Sequence, residues 1–389
     1  MDLNAYRRSE ALGIASLDTI RVKEIHSPQF FNSRGFASRI ESTVDLHSYV
    51  SSMQTDRFEI YLNEMGGWNE SEISYLLSRL EIFCRFHAAT FGQSSVHIPY
   101  SEIAAHYALY LKLKALPDTR RVLEIGPGVG LLSLFTFDDP AFEKYHQVEV
   151  TEAFYLLQNS LNRYLYREGL VEHASMDLVG RGYSDLGMDK IERKFMAGET
   201  QSIASGSTVE LVRNPRVEHF PWWKVGKIAD NQYDVITSNA NLSEMSQEAF
   251  VFYMNLIKKT LRPGGYFFFQ CLGGESSRWP TILKTLFLFG LVPQTIAAGT
   301  PHDLQKIGYS GEQAKSAASA PPLVVPNGLF RREDLASEQD ILRLIERGAI
   351  FDSSDDLTRR MYRLEMDDRR AVSRTELTDR LTNMLVDGI

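Results

Sequence analysis

The chain has 389 residues, 43% hydrophobic and 24% charged, enough for two domains or one large domain with additions. A formal net charge of −8 and a pI near 5.7 argue against nonspecific nucleic-acid binding, which needs a basic surface. Cys84 and Cys271 make neither a disulfide framework nor a metal-type spacing, and the start, MDLNAYRRSEALG, lacks the apolar core of a secretory signal, so the expectation is a cytoplasmic protein with no membrane partner.

Residues 1–116 read as a helical cap or lid. VDLHSYVSSMQTDRFEIYLNEM is amphipathic. In NESEISYLLSRLEIFCRFHAATFG the apolar residues Ile73, Leu76, Leu77, Leu80, Phe83 and Cys84 recur at helical spacing, and Asn69 with Glu72 forms a capping pattern. SEIAAHYALYLKLKAL is a further helix, stopped by Pro117. No strand–helix alternation occurs in this third of the chain.

From Arg121 the pattern changes. RVLEIG reads as a buried strand, LLSLFTF as a helix start, HQVEVTE as a second strand and AFYLLQNSLNRYLYREG as a helix. YDVITSN is another strand, SQEAFVFYMNLIKKTL a helix, LRPGG a turn and YFFFQCL a strand. The alternation predicts an α/β, Rossmann-like, doubly wound parallel sheet over 117–298. Residues 172–210 carry Gly and Ser without periodicity and read as an insertion. TLFLFGLV, 285–292, is too short to span a bilayer and fits a core helix or strand. Residues 299–389 read as a C-terminal extension, loop then helices. The arginines of RRMYRLEMDDRRAVSRTELTDR are expected on a solvated helix or a homodimer contact.

RVLEIGPGVGLLSL places Gly126, Gly128 and Gly130 within five residues. The dinucleotide fingerprint GxGxxG is not met, because Leu131 stands where its third glycine belongs, and no Gly-Lys-Ser/Thr follows for a phosphate loop. Glu124, just before the turn, would repel phosphate but suits an ammonium. S-adenosyl-L-methionine meets these constraints: it is cationic, it has no phosphate, and its carboxylate suits backbone N–H groups at a helix start.

These residues resemble the class I S-adenosylmethionine-dependent methyltransferases, and three further blocks agree. The resemblance implies that Glu149, closing HQVEVTE, accepts hydrogen bonds from both ribose hydroxyls, and that the end of YDVITSN, with Ser238 and Asn239, faces cofactor and substrate. LRPGGYFFFQ resembles the structural turn and strand that follow, with Gly264 and Gly265 in the turn. The similarity covers 121 to about 275.

Within that family the chain resembles the sugar O-methyltransferase group, through Glu152, Tyr155, Glu244 and Met245. It departs by having Glu149 for an aspartate, Thr151 for a proline, and a different order over Ser238 to Asn241. The resemblance implies methyl transfer to a hydroxyl of a sugar, sugar nucleotide or sugar-containing small molecule. Other natural-product hydroxyls, amines or carbons stay open as acceptors, as does a non-catalytic binding module. A nicotinamide oxidoreductase is disfavoured by Leu131.

Glu244 is the first candidate for acid/base work or hydroxyl anchoring, because it follows a strand whose C-terminal end should face the site; it also suits a helix cap. His219 is the second candidate base. Trp222 and Trp223 read either as a stacking wall for sugar or adenine or as packing. Asn241 reads as a substrate contact or a strand terminator. His26, His146 and His173 read as ordinary loop or core histidines. No clustered His/Asp/Glu set suggests a metal.

Overall fold

Helices precede the first strand. A computed structural model describes residues 2–17, 20–33, 38–50, 57–92, 96–174, 216–271, 278–297, 327–333, 355–364, 366 and 368–387. Its N-terminal part holds α1 (Leu3–Ser16), α2 (Ile20–Ile25), α3 (Pro28–Ser33), α4 (Leu46–Tyr49), α5 (Phe58–Glu64), α6 (Glu70–Phe91) and α7 (Tyr100–Ala115). Helix α6 begins with the expected box: Asn69 Oδ1 accepts from Glu72 N at 3.0 Å, and Glu72 Oε2 accepts from Asn69 N at 2.9 Å. Left-handed Gly92 ends it at φ 62°. Helix α7 is buried on nearly every face: Tyr107, Leu109 and Leu113 join Val122, Leu134 and Phe135 in one core.

The strands are β1 (Arg121–Ile125), β2 (Lys144–Glu149), β3 (Leu170–Glu172), β4 (Val217–Pro221), β5 (Tyr233–Asn239), β6 (Leu261–Cys271), β7 (Leu291–Ala297) and β8 (Asn327–Arg332). Short α8 (Ser133–Thr136) follows β1, and α9 (Glu152–Tyr166) follows β2. They form one sheet in the order β3-β4-β2-β1-β5-β6-β8-β7. Pairing is parallel from β3 to β6, whereas β8 runs antiparallel to β6 and β7. The doubly wound, Rossmann-like α/β sheet expected from the alternation is therefore present.

Side chains alternate across it. Val122, Val235 and Phe268 face the core shared with α6, α7 and α9; Leu123, Ile236 and Phe267 face a second core under the Gln247–Thr260 and Trp279–Leu288 helices. Between Tyr233 and Val235 the β5–β6 register jumps from Leu261 to Tyr266, which accommodates the RPGG turn.

Three expectations are revised. TLFLFGLV is both helix and strand, split by the turn at Phe289 and Gly290, where the Trp279–Leu288 helix ends and β7 begins. The C-terminal extension adds β8 to the sheet interior. Two of its arginines turn inward: buried Arg363 binds Glu72 and donates to Gly67 O at 3.2 Å, and Arg369 donates to Met65 O at 2.7 Å. Arg370 and Trp68 exchange backbone hydrogen bonds at 3.0 Å in each direction. These contacts hold the segment against the start of α6. The 172–210 insertion lies outside the described residues from 175 onward, and so does 299–326. No helix among the described residues is long and apolar enough to cross a membrane.

Candidate functional site

Strand β1 lies between β2 and β5, so the chain leaves it in opposite directions across the sheet, and a crevice opens at the carboxyl ends. Ile125 at the end of β1 with Gly126 and Gly128 after it, Glu149 at the end of β2 with Thr151 after it, and Asn239 at the end of β5 with Asn241 after it line this crevice. Helices α2 and α3 close it from above with Ile25, His26, Phe30 and Phe31. The resulting cleft holds about 800 Å³ of atom-free space, its open mouth included, within the range of small-ligand sites.

The glycine turn needs its glycines for two reasons. Gly126 has φ +66°, and a Cβ there would lie 2.2 Å from Asn241 Nδ2. Gly130 has φ +74°, and its Cβ would lie 2.7 Å from Gln158 Cγ. Gly126 and Gly128 therefore expose backbone to the cleft, while Gly130 makes room for Gln158 behind it. Asn241 fixes the turn by donating from Nδ2 to Ile125 O at 2.8 Å, and its Oδ1 accepts from Ser238 Oγ. Ser238 is thus a buried support outside the cleft lining.

Glu149 is a carboxylate fixed by its neighbours. Its Oε1 accepts from Val150 N at 2.8 Å and Thr151 N at 3.0 Å, and its Oε2 accepts from Gln158 Nε2 at 2.8 Å. Burial pushes its pKa up, and these hydrogen bonds oppose the shift without cancelling it. Behind it, Gln158 Oε1 stands 2.8 Å from His219 Nε2. Gln158 spends its amide hydrogens on Glu149 and Gly128 O, so its oxygen can only accept and His219 carries the proton on Nε2. His219 is fully buried and stacks on Tyr155 at 3.9 Å, and burial lowers its pKa to about 3. As a candidate base it is displaced: Gln158 stands between it and Glu149, and it supports the cleft wall from behind.

Glu124 is also displaced from direct ligand contact. It is wholly buried on the α8–α9 side of β1, outside the cleft lining. Tyr145 donates to its Oε2, while Oε1 has no hydrogen-bond partner among the described residues. Burial raises its pKa to about 7, the Tyr145 bond opposing and the charge of Glu149 adding. The network continues from Gln147 Nε2 to Tyr145 Oη at 2.9 Å and from Asn162 Nδ2 to Gln147 Oε1 at 2.6 Å, bracing the floor of the turn.

At the end of β5, Asn239 faces the cleft with a buried Oδ1 that has no partner among the described residues. Ala240 follows at φ +59°, an uncommon conformation for a residue with a side chain. Glu244 and Met245 then line the wall. The cap of the next helix is Ser246, whose Oγ accepts from Ala249 N at 3.1 Å, so Glu244 is not the capping residue. Arg278 pins this turn by donating to Ser243 O at 2.6 Å and Met245 O at 2.5 Å.

Trp222 and Trp223 are buried packing residues and not a cleft wall. Trp222 stacks under His26 at 4.7 Å and 5°, and Trp223 meets the edge of Tyr6 at 5.2 Å. Phe30, Phe31 and Phe154 supply the aromatic wall in their place. His26, expected to be ordinary, lines the cleft with Tyr253. The sequence signal for Tyr253 is its four-residue spacing from Ala249, which puts both on one face of the Gln247–Thr260 helix. Nothing local in HSPQFF announces its return over the sheet.

Glu152 lies outside the cleft. It accepts from Arg7 Nε and Nη2, both at 2.8 Å, from Arg39 Nη1 at 2.5 Å and from Ile40 N at 3.1 Å. This bidentate clasp fastens the N-terminal helices beside Glu149. His146 and His173 are core residues, hydrogen-bonded to Tyr233 and Glu218 at 2.8 Å.

No protein-family model and no curated protein matches the chain. Solved structures similar to it include the [4+2]-cyclase SpnF, 12% identical over 65% of this chain and 93% of that one, with a TM-score of 0.33. The StiE O-MT domain is 8% identical over 64% and 82%, at 0.36. The N-methyltransferase NodS from Bradyrhizobium japonicum, solved with S-adenosyl-L-homocysteine, is 12% identical over 60% and 88%, at 0.30. Likeness this slight carries no functional argument, which rests on the site.

Proposed function

We propose that the chain is a class I methyltransferase that moves a methyl group from S-adenosylmethionine to a hydroxyl of a small molecule, a sugar or sugar-containing compound. One observation carries the reading: a carboxylate held by backbone N–H groups, Glu149, shares a cleft with a glycine turn that exposes backbone and holds no phosphate loop. The residues present suit the cofactor. Gly126 and Gly128 leave the turn open to its amino-acid portion, Glu149 accepts from a ribose hydroxyl, and Asn239 Oδ1, without a partner among the described residues, offers an acceptor for its ammonium. When bound, the cofactor supplies a methyl group on a positively charged sulfur.

The chain's own residues do the rest. Phe30, Phe31 and Met245 exclude water and position the acceptor against the sheet ends. Glu244 takes the acceptor's proton as its oxygen gains the methyl group. The sugar assignment rests on the matches at Glu152, Tyr155, Glu244 and Met245. The aromatic wall favours a second reading, an acceptor with a substantial apolar part that bears a hydroxyl or amine.

The test uses methyl-labelled cofactor with free sugars, sugar nucleotides, glycosides, phenols and apolar amines. We expect label on an oxygen acceptor, and a fall in kcat of roughly 10²–10⁴-fold in Glu244→Gln with unchanged cofactor affinity. Label transferred only to amines overturns the hydroxyl assignment. A Glu244→Gln enzyme with full kcat overturns the role of Glu244.

A further inference from the structure

Beyond these residues, the cleft holds a buried pair that the proposed reaction has not used. His26 ends the turn after α2, and Tyr253 lies on the Gln247–Thr260 helix; both line the cleft. His26 Nδ1 is 2.9 Å from Val22 O, a carbonyl that can only accept, so Nδ1 carries the ring proton. Burial holds the ring neutral, with a pKa of about 4. Its Nε2 is therefore a bare acceptor, and it lies 3.0 Å from Tyr253 Oη. Tyr253 must donate its hydrogen to His26. What its oxygen then offers the cleft is lone pairs, and an oxygen whose hydrogen is already committed is polarised toward acceptance.

Glu149 is close enough for its charge to add to burial in raising the phenol's pKa. The same cleft is thus lined by two groups that can accept hydrogen bonds from a ligand, the Glu149 carboxylate and the Tyr253 oxygen whose hydrogen goes to His26. A phosphate or carboxylate would be repelled between them. A vicinal diol fits, because it carries two O–H donors on adjacent carbons.

We propose that Tyr253, oriented by His26, is a second acceptor for the ribose diol of the cofactor, alongside Glu149. Tyr253 touches the ligand; His26 is a positioning residue that fixes the direction of the Tyr253 hydroxyl and rests on the face of Trp222. Through this contact α2 is tied to the nucleoside site, since His26 bridges Val22 O and Tyr253 Oη. The inference rests on the cofactor assignment made above.

Calorimetric titration tests it, with S-adenosylhomocysteine and its 2′,3′-dideoxy analogue, on wild type, Tyr253→Phe and His26→Phe. The Tyr253→Phe variant should bind S-adenosylhomocysteine roughly tenfold more weakly, and its melting temperature should fall because His26 Nε2 loses its donor, so the comparison of the two ligands carries the test. Against the dideoxy analogue it should equal wild type, because the hydroxyls that Tyr253 receives are gone. His26→Phe keeps a ring on Trp222 and should weaken only the diol-bearing ligand. Equal affinity of Tyr253→Phe and wild type for S-adenosylhomocysteine overturns the proposal, as does an equal loss for both ligands, which marks a merely structural role. If folded wild type binds neither ligand, the cofactor assignment falls and this inference with it.

Discussion

At the scale of single residues, the site is built from carboxylates held in unlike surroundings. Glu149 accepts three N–H hydrogen bonds, two from backbone, at the cleft edge, whereas Glu124 lies wholly buried with one phenol for a partner. Glu124 is the more easily tested. Burial raises its folded-state pKa from 4.5 to about 7, so its contribution to stability is fully present below pH 4.5 and is lost as pH rises through 7. Glu124→Gln keeps an acceptor for Tyr145 and removes the titration. Its stability relative to wild type, measured by urea denaturation from pH 5 to 8, should therefore improve with pH, by at most about 3 kcal/mol. A pH-independent difference would contradict the burial of an ionisable group there. Sequence reasoning reached many of these residues but not their facing. Gly126, Gly128, Glu149, Asn239, Asn241 and Glu244 line the cleft, while Gly130, Glu124, Ser238, His219 and both tryptophans stand behind it. A strand end can be read from hydrophobic pattern, but which side chain covers which is decided by partners distant in the chain, such as Gln158 for His219.

At the scale of elements, the strongly periodic segments were legible. YDVITSN coincides with β5, and α6 begins at the capping box that Asn69 and Glu72 form. Elements whose partners are remote were not. Strand β3 has three residues, too short to show a period, and β4 is recognised through its pairing with β2 and β3. Strand β8 is one short strand within a long C-terminal stretch, and it belongs to the sheet only because β6 and β7 leave a gap between them. The arginines near the C-terminus looked solvated because their acceptors, Glu72, Gly67 O and Met65 O, come from a turn and helix some 300 residues away.

At the scale of the molecule, one buried polar knot joins the N-terminal helices, the sheet and the C-terminal segment. Lys112 on α7 pairs with Glu64 on α5, Asn327 on β8 donates to Glu64 Oε1 at 3.1 Å, and Tyr362 donates to Asn327. Lys112→Met leaves the Glu64 carboxylate buried without its cation and should cost about 3–5 kcal/mol in denaturant unfolding, with partial recovery on adding Glu64→Gln. A loss below about 1 kcal/mol would show that the knot is not sealed from water.

Such a rigid frame matters because the cleft is assembled from all its parts: strand ends, a helix face, and a lid clasped to Glu152. The most direct measurement is calorimetric titration of S-adenosylhomocysteine into wild type and into Glu149→Ala. Binding by wild type that is lost or strongly weakened in the variant is the predicted result. No binding by folded wild type, or equal binding by both, would contradict the assignment of this cleft to a methyl-donor cofactor.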